Sequence, residues 1–127
     1  MSSKKHFTKN VSEPWYSLIK GGLKKVEGRL LKGEFINMNK GDYVTWTNRE
    51  LGFPRSCITL ITSIHHYDSF KDYLISEGLP KCLPGVENLK EGLSVYYNYF
   101  SEEQEQQHGV VALRLKRLNS ESSKKKI

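Results

Sequence analysis

The sequence predicts an α+β fold, a small mixed β-barrel with short helices on its periphery. Three observations lead there. Four to six segments carry β-branched and aromatic residues in strand-like patterns. The helical segments between them are short and do not alternate regularly with the strands, which argues against a parallel doubly wound sheet. The chain has 127 residues, 37% apolar and 27% charged, which suits one compact core rather than two, or a disordered chain.

The elements follow in order. Residues 1–10 show little periodicity and read as a flexible basic tail ahead of a domain over 11–118. Ser12 is a good N-cap for a helix with Pro14 in its first turn and Trp15, Leu18 and Ile19 on one face. Gly21-Gly22 stops that helix, and Lys25 to Leu30 alternates polar and apolar as a strand does. Lys40-Gly41-Asp42 is a turn signal, after which Tyr43 to Thr47 reads as a strand. Ser56 to Ile64 is the longest predicted strand. Asp68 or Ser69 caps a helix to about Ser76, burying Phe70, Tyr73 and Leu74. Beyond the Pro84-Gly85 turn, Leu89, Leu93, Tyr96, Tyr97 and Phe100 recur at helical spacing, although Gly92 weakens that helix. Ser101-Glu102-Glu103 opens an acidic turn or short helix. Val110 to Leu118 is a closing strand, apolar at its start and alternating at its end. Residues 119–127 are polar, of low complexity, and read as a second basic tail.

Charge narrows the function classes. The net charge is +6, of which residues 1–10 carry +3 and 119–127 carry +2. Within the body, 11–33 and 110–118 are each +3, 65–109 is −5 and 34–64 is neutral. If the first and last segments of the body meet in space, they form a basic face that attracts phosphate in a salt-dependent way. No apolar run reaches the length of a membrane span. No apolar stretch of the secretory type follows Met1–Phe7, so a cytoplasmic or nuclear protein with reduced, buried Cys57 and Cys82 is expected. Adjacent His65 and His66 point to opposite faces of a strand, so no metal site is expected. Nucleophile-elbow, phosphate-loop and dinucleotide signatures are absent.

The candidate chemistry lies where the first helix hands over to a strand, at Lys24-Lys25-x-Glu27-x-Arg29. Alternate residues of a strand share a face, so Lys25, Glu27 and Arg29 point together, and Lys24 joins them only if the strand begins after it. Two cations separated by a carboxylate can grip a phosphate while the ion pair fixes their geometry. The same run also reads as a surface Glu–Arg pair with two solvated lysines. Trp15 and Tyr16 sit beside the motif and can border a cleft. For Trp46, Tyr96, Tyr97 and Phe100 the spacing says core. Asn48 and Arg49 end a strand in the same neighbourhood and are candidate base or phosphate contacts.

Four stretches in order resemble the ASCH domain, a PUA-like β-barrel family associated with RNA. They are Pro14-Trp15 to Arg29, Gly41-Asp42-x-Val44-x-Trp46-x-Asn48, Leu83-Pro84-Gly85-Val86 with Tyr96 to Ser101, and Gly109 to Leu113. The resemblance implies a binder of single-stranded RNA or of a nucleotide, held in a basic cleft beside the barrel. The nucleic-acid-binding candidates are Trp15, Tyr16, Lys20, Lys24, Lys25, Arg29, Asn48, Arg49 and Arg55. Some relatives are described as metal-stimulated ribonucleases, which would make Lys24, with Glu27, catalytic and bring in manganese or magnesium; binding itself would need no cofactor. Other relatives are N4-acetylcytidine amidohydrolases that use a threonine three residues after the lysine. Here that position is Glu27, and the distal glutamate of that group would be Glu77 or Glu87. A monomer is expected, and a non-catalytic protein-interaction domain, docking a basic partner on Glu102, Glu103 and Glu105, is the remaining alternative.

Overall fold

The computed structural model describes residues 3–118, so the predicted tail at 119–127 lies outside it. Five strands, β1 (His6–Asn10), β2 (Val26–Leu30), β3 (Tyr43–Asn48), β4 (Arg55–Tyr67) and β5 (Val110–Arg117), form one sheet in the order β1-β3-β4-β5-β2. β1 runs parallel to β3, every other pair is antiparallel, and the mixed sheet curls into a half-barrel. Among the described residues the α-helices are α1 (Trp15–Lys20), α2 (Phe70–Glu77), α3 (Leu79–Cys82), α4 (Leu89–Tyr97) and α5 (Glu102–His108), with a 3-10 turn over Gly33–Asn37. The α+β barrel with peripheral short helices is the architecture observed.

β4 makes the curl possible. Its first half pairs with β3 and its second half with β5, and the register slips between Ile61 and Ser63. An extra residue there bends and twists the strand, so one 13-residue segment serves two sides of the barrel. β5 is buried on both faces. Val111, Leu113 and Leu115 point into a core with Val44, Trp46, Ile61, Tyr16 and Ile19. Val110 and Ala112 point the other way, into a second core with Phe70, Tyr73, Leu74, Leu83 and Tyr96. The two-residue period of the strand thus divides one sequence between the barrel and the helical layer.

Two expectations change. The predicted basic tail at 1–10 contains β1, an edge strand whose Phe7 enters the barrel core. Its pairing with β3 runs His6↔Tyr43 to Asn10↔Thr47, about forty residues away in the chain, and leaves no local signal. Ser12 does not cap α1 with its side chain; Pro14 holds that position, and the Ser12 hydroxyl meets the Tyr99 hydroxyl at 2.7 Å instead. Ser69 and Asn88 do cap α2 and α4, each accepting from a backbone N–H three residues on. Gly92 has a packing reason: a Cβ there would lie 2.9 Å from Leu79 Cδ1, so glycine lets α4 settle on α2 and α3.

Candidate nucleic-acid interface

β1 and β2 are the two edges of the sheet, and the half-barrel is left open between them. Arg29 spans that seam. From β2 its Nη2 donates to the Asn10 carbonyl on β1 at 2.8 Å, while the guanidinium stacks over the Trp46 ring with its carbon 5.3 Å from the centroid. Its Nε donates to Glu27 Oε2 at 2.7 Å.

Lys24 reaches the same carboxylate by a different route. Gly21 caps α1, Gly22 turns in the left-handed region at φ 81°, and the N–H groups of Leu23 and Lys24 both return to the Leu18 carbonyl. The chain is therefore folded back when it reaches Lys24, and β2 starts only at Val26. Lys24 Nζ donates to the carbonyls of Val26 (2.8 Å) and Cys82 and lies 3.2 Å from Glu27 Oε1. Its side chain is 1% exposed, with Nζ 5.7 Å from the centre of the Trp15 ring. Two hydrogen-bonded carbonyls and one carboxylate oxygen thus surround the Lys24 nitrogen.

Glu27 sits between the two cations with its side chain 7% exposed. Burial on its own would push its carboxyl up, but the charges of Lys24 and Arg29, with their hydrogen bonds, outweigh that and hold it below the usual carboxylate value. The group is an anion with one protein donor on each oxygen, and a carboxylate offers about four lone-pair sites.

These residues line a cavity of about 410 Å³, within the range of about 300–1,000 Å³ usual for small-molecule sites. Trp15, Tyr96, Tyr99 and Phe100 supply aromatic wall, and Lys24, Glu27 and Arg29 are its charged residues. Gly28 is part of the lining and must be glycine: a Cβ there would come within 2.5 Å of the Tyr73 ring. The Tyr73 and Tyr96 hydroxyls pair at 2.8 Å, and burial pushes both well above the ordinary phenol value, so they remain neutral.

The sequence candidates separate accordingly. Trp15, Lys24, Glu27 and Arg29 come together in the cavity. Lys25 is exposed and lies instead beside Lys81, Glu77 and Arg114 in a separate surface depression, because β2 begins after it. Tyr16 is fully buried in the barrel core with the Arg55 guanidinium over its ring. Arg55 is also held by Glu13 at 3.0 Å and by Asn48 Oδ1 at 2.6 Å. Asn48 is buried, its Nδ2 donating to the Val11 carbonyl and its Oδ1 also accepting from the Glu50 N–H. Lys20 and Arg49 are exposed outside the cavity lining. Neither distal glutamate lines the cavity: Glu77 is bound by Arg114 and the Tyr67 hydroxyl, and Glu87 is exposed.

Asn10, Ser12, Tyr96, Tyr99 and Phe100 are cavity residues that the sequence reading did not assign there. Helical spacing marks Tyr96 and Phe100 as buried, which they are in large part, but it does not say that a cavity lies beside them. Among the described residues no group of three His, Cys, Asp or Glu side chains is placed to hold a metal ion, and no helix is long and apolar enough to cross a membrane.

The family model for the ASCH domain matches residues 10–119. The chain is similar to the crystal structure of the hypothetical protein PH0355, at 32% identity and a TM-score of 0.80, over 89% of this chain and 99% of that one. It is also similar to the solution structure of protein PF0455 from Pyrococcus furiosus, at 33% identity and a TM-score of 0.72, over 90% and 98% of the respective chains. No curated protein matches it. The match spans the seam, the ion network and every strand from β2 onward, and the chain belongs to the ASCH domain family.

Proposed function

We propose that this protein binds single-stranded RNA, taking one unstacked nucleotide into the cavity at the barrel seam. The observation that carries the reading is the combination of aromatic wall with a buried, ionised Glu27 beside Arg29. Aromatic side chains stack on the face of any base, while the carboxylate accepts from the N–H groups on a base edge. Arg29 Nη1 has no protein acceptor among the described residues and is available as a donor next to that acceptor. The association of the ASCH family with RNA supports the same reading.

Binding is favoured over cleavage by the state of Lys24. A general base or nucleophile must reach its substrate, and the Lys24 side chain is 1% exposed, held by the Val26 and Cys82 carbonyls and the Glu27 carboxylate. In this reading Lys24 positions Glu27 rather than attacking substrate, and neither the ribonuclease nor the amidohydrolase alternative has a second carboxylate in the cavity lining.

The test is to incubate end-labelled single-stranded RNA with the wild-type protein and with Arg29→Ala, with and without manganese or magnesium. A retarded band of full-length RNA is expected, weakening as salt rises, and the variant should bind about tenfold more weakly or worse. Shortened products from wild type alone would replace this reading with a nuclease. Salt-independent binding, or none, would overturn it.

A further inference from the structure

A second depression of about 390 Å³ adjoins the cavity, lined by Lys9, Arg29, Leu30, Lys32, Glu34, Phe35 and Phe100 among others. Arg29 and Phe100 line both, so the two are continuous across a ridge made by those side chains. We propose that this depression is a second nucleotide subsite, which takes the phosphate and the neighbouring base of the residue adjoining the one in the cavity; the proposal rests on the reading of the cavity given above.

The charge distribution points there. Inside the cavity, Lys24 and Arg29 share Glu27, so half of the cationic charge is offset within the network. Outside it, Lys32 is exposed with no ion pair among the described residues, and Lys9 is paired only with Glu34, whose side chain is 59% exposed. An ion pair this open to water is worth little, and a phosphate can replace the Glu34 carboxylate on Lys9 at small cost. The apolar part is a stacking surface. Phe35 is half-buried and already carries two cations near its ring, Lys9 Nζ at 5.0 Å from the centroid and the Arg29 guanidinium carbon at 5.7 Å. A base laid on Phe35 or Phe100 would be flanked by the lysines that hold its phosphate, the pairing of aromatic platform and basic groove that single-stranded nucleic acid requires.

A ligand series tests this: a nucleoside, its 5′- and 3′-monophosphates, the dinucleoside monophosphate and a short oligonucleotide, each titrated against wild type and Lys9→Gln/Lys32→Gln. The dinucleoside monophosphate should bind about tenfold tighter than the nucleoside, and one of the two monophosphates should recover part of that gain. The double variant should bind the nucleoside as wild type does, lose the gain, and show an oligonucleotide salt slope lower by about 1.4, two single-strand phosphate contacts at about 0.7 each. Equal affinity for nucleoside and dinucleoside monophosphate, or a gain that survives in the double variant, overturns the subsite and leaves the cavity standing. If no member of the series binds wild type, the cavity reading itself fails and the subsite falls with it.

Discussion

Replacing Lys24 by methionine isolates what the buried ammonium does. The substitution keeps an unbranched apolar stem of similar length and removes one charge and three N–H bonds. It strands the carbonyls of Val26 and Cys82 and leaves Glu27, 7% exposed, with Arg29 alone. Removing one partner of a buried ion pair costs about 3–5 kcal/mol, because the other charge stays buried. Against a stability of about 5–15 kcal/mol for a domain, the variant should still fold in dilute buffer. With a urea slope of about 1–3 kcal/mol per molar, its midpoint should fall by about 2 M. Urea unfolding followed by circular dichroism measures this directly. A loss below about 1 kcal/mol would refute the reasoning and return Lys24 to the list of groups free to do chemistry. The result bears on function, because an inactive Lys24 variant reports catalysis only when its fold is as stable as wild type.

Three other outcomes are expected. Glu27 has a folded-state carboxyl held below its ordinary value of 4.5, so its contribution is present above that pH and is lost as pH falls through the folded value; the gap in urea midpoint between wild type and Glu27→Gln should therefore be full at pH 7 and narrow in acid, and a gap independent of pH would sink the assignment. Tyr99 is 54% exposed, so Tyr99→Ala should leave stability within about 0.5 kcal/mol while removing a cavity wall worth about 1–3 kcal/mol of base stacking, read as a five-fold or greater loss of RNA affinity by fluorescence anisotropy. Gly28→Ala places a methyl within 2.5 Å of the buried Tyr73 ring and should destabilise by about 1–3 kcal/mol; an unchanged urea midpoint would mean that the helical layer yields at this point.

Much of this molecule is legible in its sequence because its strands carry their burial in alternation. Val110 to Arg117 reads as apolar first and alternating later, and β5 is buried on both faces first and on one later. The pairing of Glu27 with Arg29 is legible too, since alternate residues of a strand share a face, but that Lys24 and not Lys25 completes the group is not, because it depends on how the glycine turn hands the chain to β2. The rest of what is not legible depends on distance in the chain. His6–Asn10 contains four polar or charged residues in five and becomes a strand only by pairing with β3, so the carbonyl that anchors Arg29 is hidden in what looks like a tail. Asn48 looks like a contact residue at a strand end. Its side chain instead turns inward, because Val11, Glu50 and Arg55 offer it three partners and water offers a buried amide none.

The seam explains why charge and recognition are separated on this surface. A half-barrel that leaves its two edge strands apart exposes backbone groups at the gap, and an edge must be paired or covered. Arg29 covers it from one side by binding the Asn10 carbonyl, and this commits a guanidinium to a place where it needs a counter-charge. Glu27 supplies the counter-charge, and Lys24 in turn keeps that carboxylate ionised at depth. The network that closes the barrel has two cations on one carboxylate, so a single net positive charge is left, held deep at the seam. It is well suited to reading the edge of a base but weaker than an open basic surface at drawing an anionic strand from solution. Attraction falls to the partly exposed Lys9 and the exposed Lys32 beside the seam. Substitutions inside the cavity should therefore change which nucleotide is held, whereas substitutions at Lys9 and Lys32 should change the salt dependence and leave that preference intact.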